Sequence, residues 1–142
     1  MKKSIVFIMM LFLGVLSTVS AKEFKDDRWQ WFYSDANYTG KVDLKTLSYN
    51  PAQDIAEVWA VWIIPAEGFQ ELRSYKVNFK KNKLDTKEEY LYRKGSDKIV
   101  GQRTIDTSKI PVPGSGDEAL MAAVKGLVGR DAKLAEYKKK KD

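Results

Sequence analysis

The ten residues Ile55–Ile64 (IAEVWAVWII) constrain the fold more than any other part of the chain. Their β-branched and Trp content favours an extended strand over a helix. Side chains in a strand alternate between faces. Here that puts Ile55, Trp59, Val61 and Ile63 on one face and Val58, Ala60, Trp62 and Ile64 on the other, with Glu57 the exception. A strand apolar on both faces is stable only when both are covered, so this one belongs in the middle of a sheet.

The segments around it read as its partners. Trp29-Gln30-Trp31-Phe32-Tyr33 is a first strand, with Trp29, Trp31 and Tyr33 on one face at period two. Ser34 to Asn37 turns the chain into a second strand, Tyr38 to Leu44. Leu44 to Tyr49 is a helical turn or an irregular link before the breaker Asn50-Pro51. After the central strand come Glu71 to Lys80, with Tyr75, Val77 and Phe79 inward, and Leu84 to Arg93, with Tyr90 and Tyr92 on one side. Ile99 to Ile105 returns past Gly95, with Ile99, Gly101, Arg103 and Ile105 on one face. Short turns between such strands imply an antiparallel sheet. Pro111 and Pro113 stop it, and Ser115 with Glu118 has the spacing of a helix capping box. The helix that follows, Gly116 to Leu127, carries Leu120, Met121, Val124, Leu127 and Val128 as one stripe. The expected class is therefore α+β: a small antiparallel sheet of about five to six strands with a C-terminal helix on one face.

The flanks complete the organisation. Met1-Lys2-Lys3, the apolar run Ile5 to Leu16 and the closing Ser17 to Ala21 are the three regions of a secretory signal peptide. Val19 and Ala21 meet the small-residue demand of a signal peptidase, which places the cut after Ala21. The apolar run falls short of the roughly 20 residues that span a bilayer, so no stable membrane anchor is expected. With no Cys to carry a lipid, the product is expected to be exported without lipidation, and to be periplasmic, secreted or at the cell surface. Removing residues 1–21 from the 142 leaves 121, enough for one domain: a polar lead-in at 22–28, a folded unit at 29–130 and a Lys-rich tail at 131–142 that is either a frayed helix or disordered.

Composition narrows the chemistry. Neither Cys nor His occurs, which removes disulfides, thiolate and His-based nucleophilic catalysis and the usual zinc sites. The formal charge of +6 falls to 23 Lys+Arg against 19 Asp+Glu once Lys2 and Lys3 leave, and setting aside the last five residues leaves 19 against 18. The body is near neutral, so no nucleic-acid partner is expected. No cofactor and no metal site is indicated either, there being no loop of alternating acids.

The order of features resembles the surface-adhesin protein E family. It runs from the Trp-rich first strand through Tyr38, Val42 and Asp43, then Val58-Trp59, then the Tyr-containing strands, to the helix start Pro113 to Glu118. The resemblance covers about Trp29 to Val128. It implies a small antiparallel sheet with a helix against it, and binding of host extracellular proteins such as plasminogen, vitronectin and laminin. Members often carry a Cys in the strands and another near the end of the helix. This chain has neither, and Val128 stands about where the second would be.

Several residues are candidates for function. Trp59 and Trp62 face opposite ways and one helix cannot cover both, so the face opposite the helix is read as a recognition or homodimer surface, with Trp62 its marker. Lys138, Lys139, Lys140, Lys141 and Asp142 form a second candidate: Lys141-Asp142 offers the ammonium and carboxylate that kringle-type receptors recognise, and the Lys run suits anionic envelope polymers or lipid heads. Asp43 with Asp54 or Glu57 is the carboxylate pairing a small secreted hydrolase would need, and Gly114-Ser115-Gly116 opens a helix and could hold an anion. The expected function is an exported binding protein without catalysis; a periplasmic binding or envelope-accessory role is the alternative.

Overall fold

A computed structural model describes residues 24–142, so the expected signal peptide, with Val19 and Ala21, lies outside the described residues. Seven antiparallel strands are followed by two helices: β1 Trp29–Ser34, β2 Thr39–Asp43, β3 Ser48–Asn50, β4 Ile55–Ile64, β5 Phe69–Asn78, β6 Lys83–Arg93, β7 Ile99–Lys109, α1 Gly116–Leu127 and α2 Arg130–Lys141. The sheet order is β1-β2-β4-β5-β6-β7, with β3 also on β4. As the doubly apolar pattern requires, β4 is interior.

The added strand, β3, lies where an irregular link was expected. β2 pairs with Ala60 to Ile63 of β4, and β3 pairs with Ile55 to Glu57. Both therefore line one edge of β4 in succession. The Trp59 amide in the gap between them donates to the Thr46 hydroxyl at 3.0 Å, so the interrupted ladder leaves no orphan there.

One face of the sheet carries the main core. Val42, Val58, Ala60, Tyr75, Val77 and Leu84 meet Leu120 and Val124 of α1 and Val128 at its C-cap, all buried. Those last three residues recur every fourth position and stand on one side of α1. Each fully buried aliphatic side chain is worth about 1.5–3 kcal/mol. The Ser115 hydroxyl accepts from the Glu118 amide, and the Glu118 carboxylate accepts from the Gly114 amide, so the capping box closes one residue further out than its usual form. Gly129, at φ +61°, turns the chain from α1 into α2.

Three bulges alter the faces read from the sequence. The register of β1 against β2 shifts between Trp31 and Tyr33. Trp29 and Trp31 stay opposite Asp43 and Lys41, but Tyr33 crosses to the helix side opposite Gly40. The expected common face of Trp29, Trp31 and Tyr33 is thus broken, and Phe32 also packs on the helix-side core. A shift near Tyr92 separates Ile99 from Gly101 in the same way, and β7 runs on to Lys109. Asp106, at φ +48°, sits in the third bulge, on the free edge of the sheet, and accepts from Lys87 at 2.8 Å. Such a kinked, charged edge resists pairing with another chain.

The described part of the lead-in, residues 24–28, closes the second face. Phe24 is 2 % exposed, its ring edge-on to Trp29 at 4.7 Å and to Tyr92 at 6.2 Å. Lys41 Nζ donates to the Phe24 carbonyl at 2.9 Å, and Arg28 grips both oxygens of the buried Asp43 carboxylate at 2.5 and 2.6 Å. The tail is an ordered helix: Arg130 takes Asp54 bidentately at 2.9 and 2.6 Å and lies over the Phe79 ring. One Arg–Asp clamp therefore fastens each end of the described chain.

Candidate functional site

The start of α1 abuts the end of β4, and the two form a recess of about 380 Å³ on the helix face. Trp62 is its apolar wall. Contrary to the expectation that it marks the open face, Trp62 points to the helix side and is only 7 % exposed. Its partner across β5 is Glu71, and its indole N–H donates to the Tyr75 hydroxyl at 2.6 Å. Phe32, Tyr33 and Tyr38 stand edge-on around it at 5.2, 6.3 and 6.5 Å. A Cβ on Gly116 would come within 2.8–2.9 Å of the indole, so the helix start can reach the ring only as glycine. A Trp62→Lys change would therefore break the core here and would not report on a dimer.

Charges of both signs rim the recess. Asp35 accepts from the Asn37 and Tyr38 amides and from the Tyr33 hydroxyl. Those bonds, the Asn37 amide foremost, hold its carboxyl below the usual range. Lys109 pairs with Asp117 at 2.6 Å. Arg73 bridges Glu71 and Glu89, and Glu89 also receives Arg103. Burial raises the Glu71 carboxyl against the pull of Arg73. Burial works on Glu89 in the same sense, but its two guanidinium partners prevail and hold it low. Tyr75, buried beneath, is pushed up to about 12. The acids of this recess are thus already engaged by hydrogen-bond donors or cations.

The second face holds a comparable groove of about 390 Å³, walled by Trp29, Trp59, Leu72, Tyr90, Tyr92 and Ile99 and ending at the Arg28–Asp43 pair. Trp59 and Tyr90 face each other at 5.8 Å with a 36° tilt. The open aromatic on this face is Trp59, and the sequence already showed that it opposes Trp62. What periodicity could not show was which of the two the helix covers.

The other sequence candidates are separated in space. Asp43 is held by Arg28 and Asp54 by Arg130 with the Tyr49 hydroxyl. Glu57 lies on the exposed side of β4 near Lys76. The carboxylate pairing considered for a hydrolase is not assembled. Gly114-Ser115-Gly116 spends the Gly114 amide on Glu118 and presses Gly116 on Trp62. Lys138 to Lys141 lie along α2, which buries no residue; Lys140 pairs with Glu136 and Lys141 lies over Tyr137. Among the described residues no three of His, Cys, Asp and Glu gather to hold a metal ion, and no helix is long and apolar enough to cross a membrane.

Comparison of the chain with protein-family models, with curated proteins and with solved structures finds no match.

Proposed function

We propose that this chain is an exported protein that acts by binding and not by catalysis, with the recess at Trp62 as its contact for a partner protein. One observation carries the reading. Three aromatic rings and charges of both signs meet in one open recess, while its carboxylates are committed to ion pairs and hydrogen bonds, which is how a recognition surface differs from a site that must move protons. The resemblance to surface-adhesin protein E supplies the partner class: host extracellular proteins such as plasminogen, vitronectin and laminin. The exported protein, tested by surface plasmon resonance on those three immobilised proteins, is expected to bind at least one. Tyr38→Ala, at the exposed lip of the recess, is expected to weaken that binding about tenfold or more. A folded protein that binds none of the three removes the adhesin reading, and protease shaving of intact cells that fails to reach it removes surface display.

The basic helix α2, which buries no residue, favours a second reading, an envelope-accessory role at an anionic periplasmic polymer or lipid surface. Its signature is association that disappears as salt rises.

A further inference from the structure

We propose that the groove on the second face is a docking seat for an aromatic side chain carried on a loop segment of a partner protein. This seat lies on the opposite face from the recess at Trp62, so the two proposals stand or fall separately. The chain's own lead-in shows the chemistry. Phe24 arrives on an irregular strap that turns at Asp26–Arg28, its ring is held edge-on by Trp29 and Tyr92, and its main-chain carbonyl is captured by Lys41. Trp29 and Tyr92 are also walls of the groove, so the open part continues an aromatic interface already formed.

Beyond them, Trp59, Tyr90, Leu72 and Ile99 repeat the same kind of surface. The splayed Trp59–Tyr90 pair leaves both rings available to a third, and edge-on or offset ring contacts add about 0.5–1.5 kcal/mol to the area they bury. The floor carries no uncompensated charge, because Asp43 is neutralised by Arg28. This selects against charged side chains. Asp43 is spent on Arg28 and the Lys45 amide, and the Thr46 hydroxyl on the Asp43 carbonyl and the Trp59 amide. Arg28 Nη1 stands at the mouth beside Nε and Nη2, which bond Asp43, and it suits a main-chain carbonyl.

The test is to pan a random dodecapeptide phage library on the exported protein with its strap intact. The selected peptides are expected to share a Phe, Tyr or Trp. Their affinity is expected to fall about tenfold or more in Tyr90→Ser and in Ile99→Ser, and to be unchanged in Tyr38→Ala on the other face. Ile99 is 46 % exposed at the start of an edge strand, so its variant keeps the fold if Tyr90→Ser does not. The proposal is overturned by any of four results. These are peptides with no common aromatic, binding indifferent to both variants, glycan-array binding that Tyr90→Ser abolishes while no peptide binds, or self-association that Ile99→Ser dissolves, which would make a second copy the occupant.

Discussion

The two faces of the sheet are closed in different ways. One is covered by a twelve-residue helix whose Leu120, Val124 and C-cap Val128 enter a continuous core. The other is covered by a short strap that contributes one buried ring, Phe24, and a salt bridge. A helix brings its own hydrogen bonds and can spread apolar contact over several turns. A strap must borrow its polar partners from the sheet, as the Phe24 carbonyl does from Lys41 and Arg28 does from Asp43. The second face therefore keeps an unfilled aromatic groove beside the strap, whereas the first is open beside its helix, around Trp62 and between Phe79 and Met121.

The largest expected effect tests whether the faces differ in strength. Leu120→Ala removes a fully buried side chain from the closed core and is expected to cost about 3 kcal/mol, within the ~2–5 kcal/mol seen for such deletions. Phe24→Ala deletes a larger side chain, yet is expected to cost only about 1–2 kcal/mol, because the strap can let go without unfolding the sheet. Urea unfolding of both variants measures the difference. A Phe24→Ala cost equal to that of Leu120→Ala would make the strap part of the core and end the contrast.

A smaller effect sharpens the fit between helix and ring. Gly116→Ala places a methyl within 2.8–2.9 Å of the Trp62 indole, and the rigid ring cannot yield as a flexible side-chain end would. The expected cost is about 1–2 kcal/mol, partly offset by the better helix propensity of Ala. A shift in Trp emission is expected with it, since the helix start must move off the ring.

Acid titration separates the faces by sign. Burial acts to raise the Asp43 carboxyl, but the Arg28 ion pair together with the Lys45 amide and the Thr46 hydroxyl outweighs it and the folded value lies below the ordinary one. The stability Asp43 contributes is thus present above pH about 4 and lost as pH falls through the depressed folded value. Asp43→Asn is expected to destabilise by about 1 kcal/mol at pH 7, discounted because Arg28 is partly exposed, and the gap from wild type should close in acid. Glu71 behaves in the opposite way. Its folded value is raised by burial, so its ionised form disfavours the fold above that value and the penalty vanishes below the unfolded one. Glu71→Gln is expected to leave stability at pH 7 unchanged or slightly higher. Chemical unfolding at pH 7 and pH 3 reads both signs.

The same contrast explains what could be read from the sequence. The core stripes of α1 and β5 were legible because a period near four and a period of two report burial directly, whereas β4, apolar on both faces, did not tell which face α1 covers. The bulge after Trp31 was not legible, because a single inserted residue leaves no local signature and reverses every face beyond it. The strap was hidden for another reason. KEFKDDR is polar in six of its seven positions, and nothing local distinguishes a buried Phe24 from a solvated one. Its role depends on Trp29, Lys41 and Tyr92, which only the folded sheet brings to it. Asp43 and Asp54 were noticed as acids, but their arginines lie 15 and 76 residues away. The candidate hydrolytic pair was therefore two separate clamps.

The smallest expected effect concerns α2, which joins neither face beyond its first turn. Arg130 is fixed by Asp54 and covers Phe79, and Lys138 adds only a minor pull on the Asp54 carboxyl. The remaining partners of the Lys run, Glu136 and the Tyr137 ring, are contacts within the helix at its exposed end. Exposed pairs of this kind are worth little, because solvent screens them and ordering two long side chains offsets the gain. Ending the chain after Tyr137 is therefore expected to change the unfolding free energy by less than about 0.5 kcal/mol. The same truncation decides what the Lys run is for: plasminogen binding that survives it dismisses the Lys141-Asp142 reading, and binding lost from a protein of unchanged stability assigns the contact to those five residues and not to the recess at Trp62.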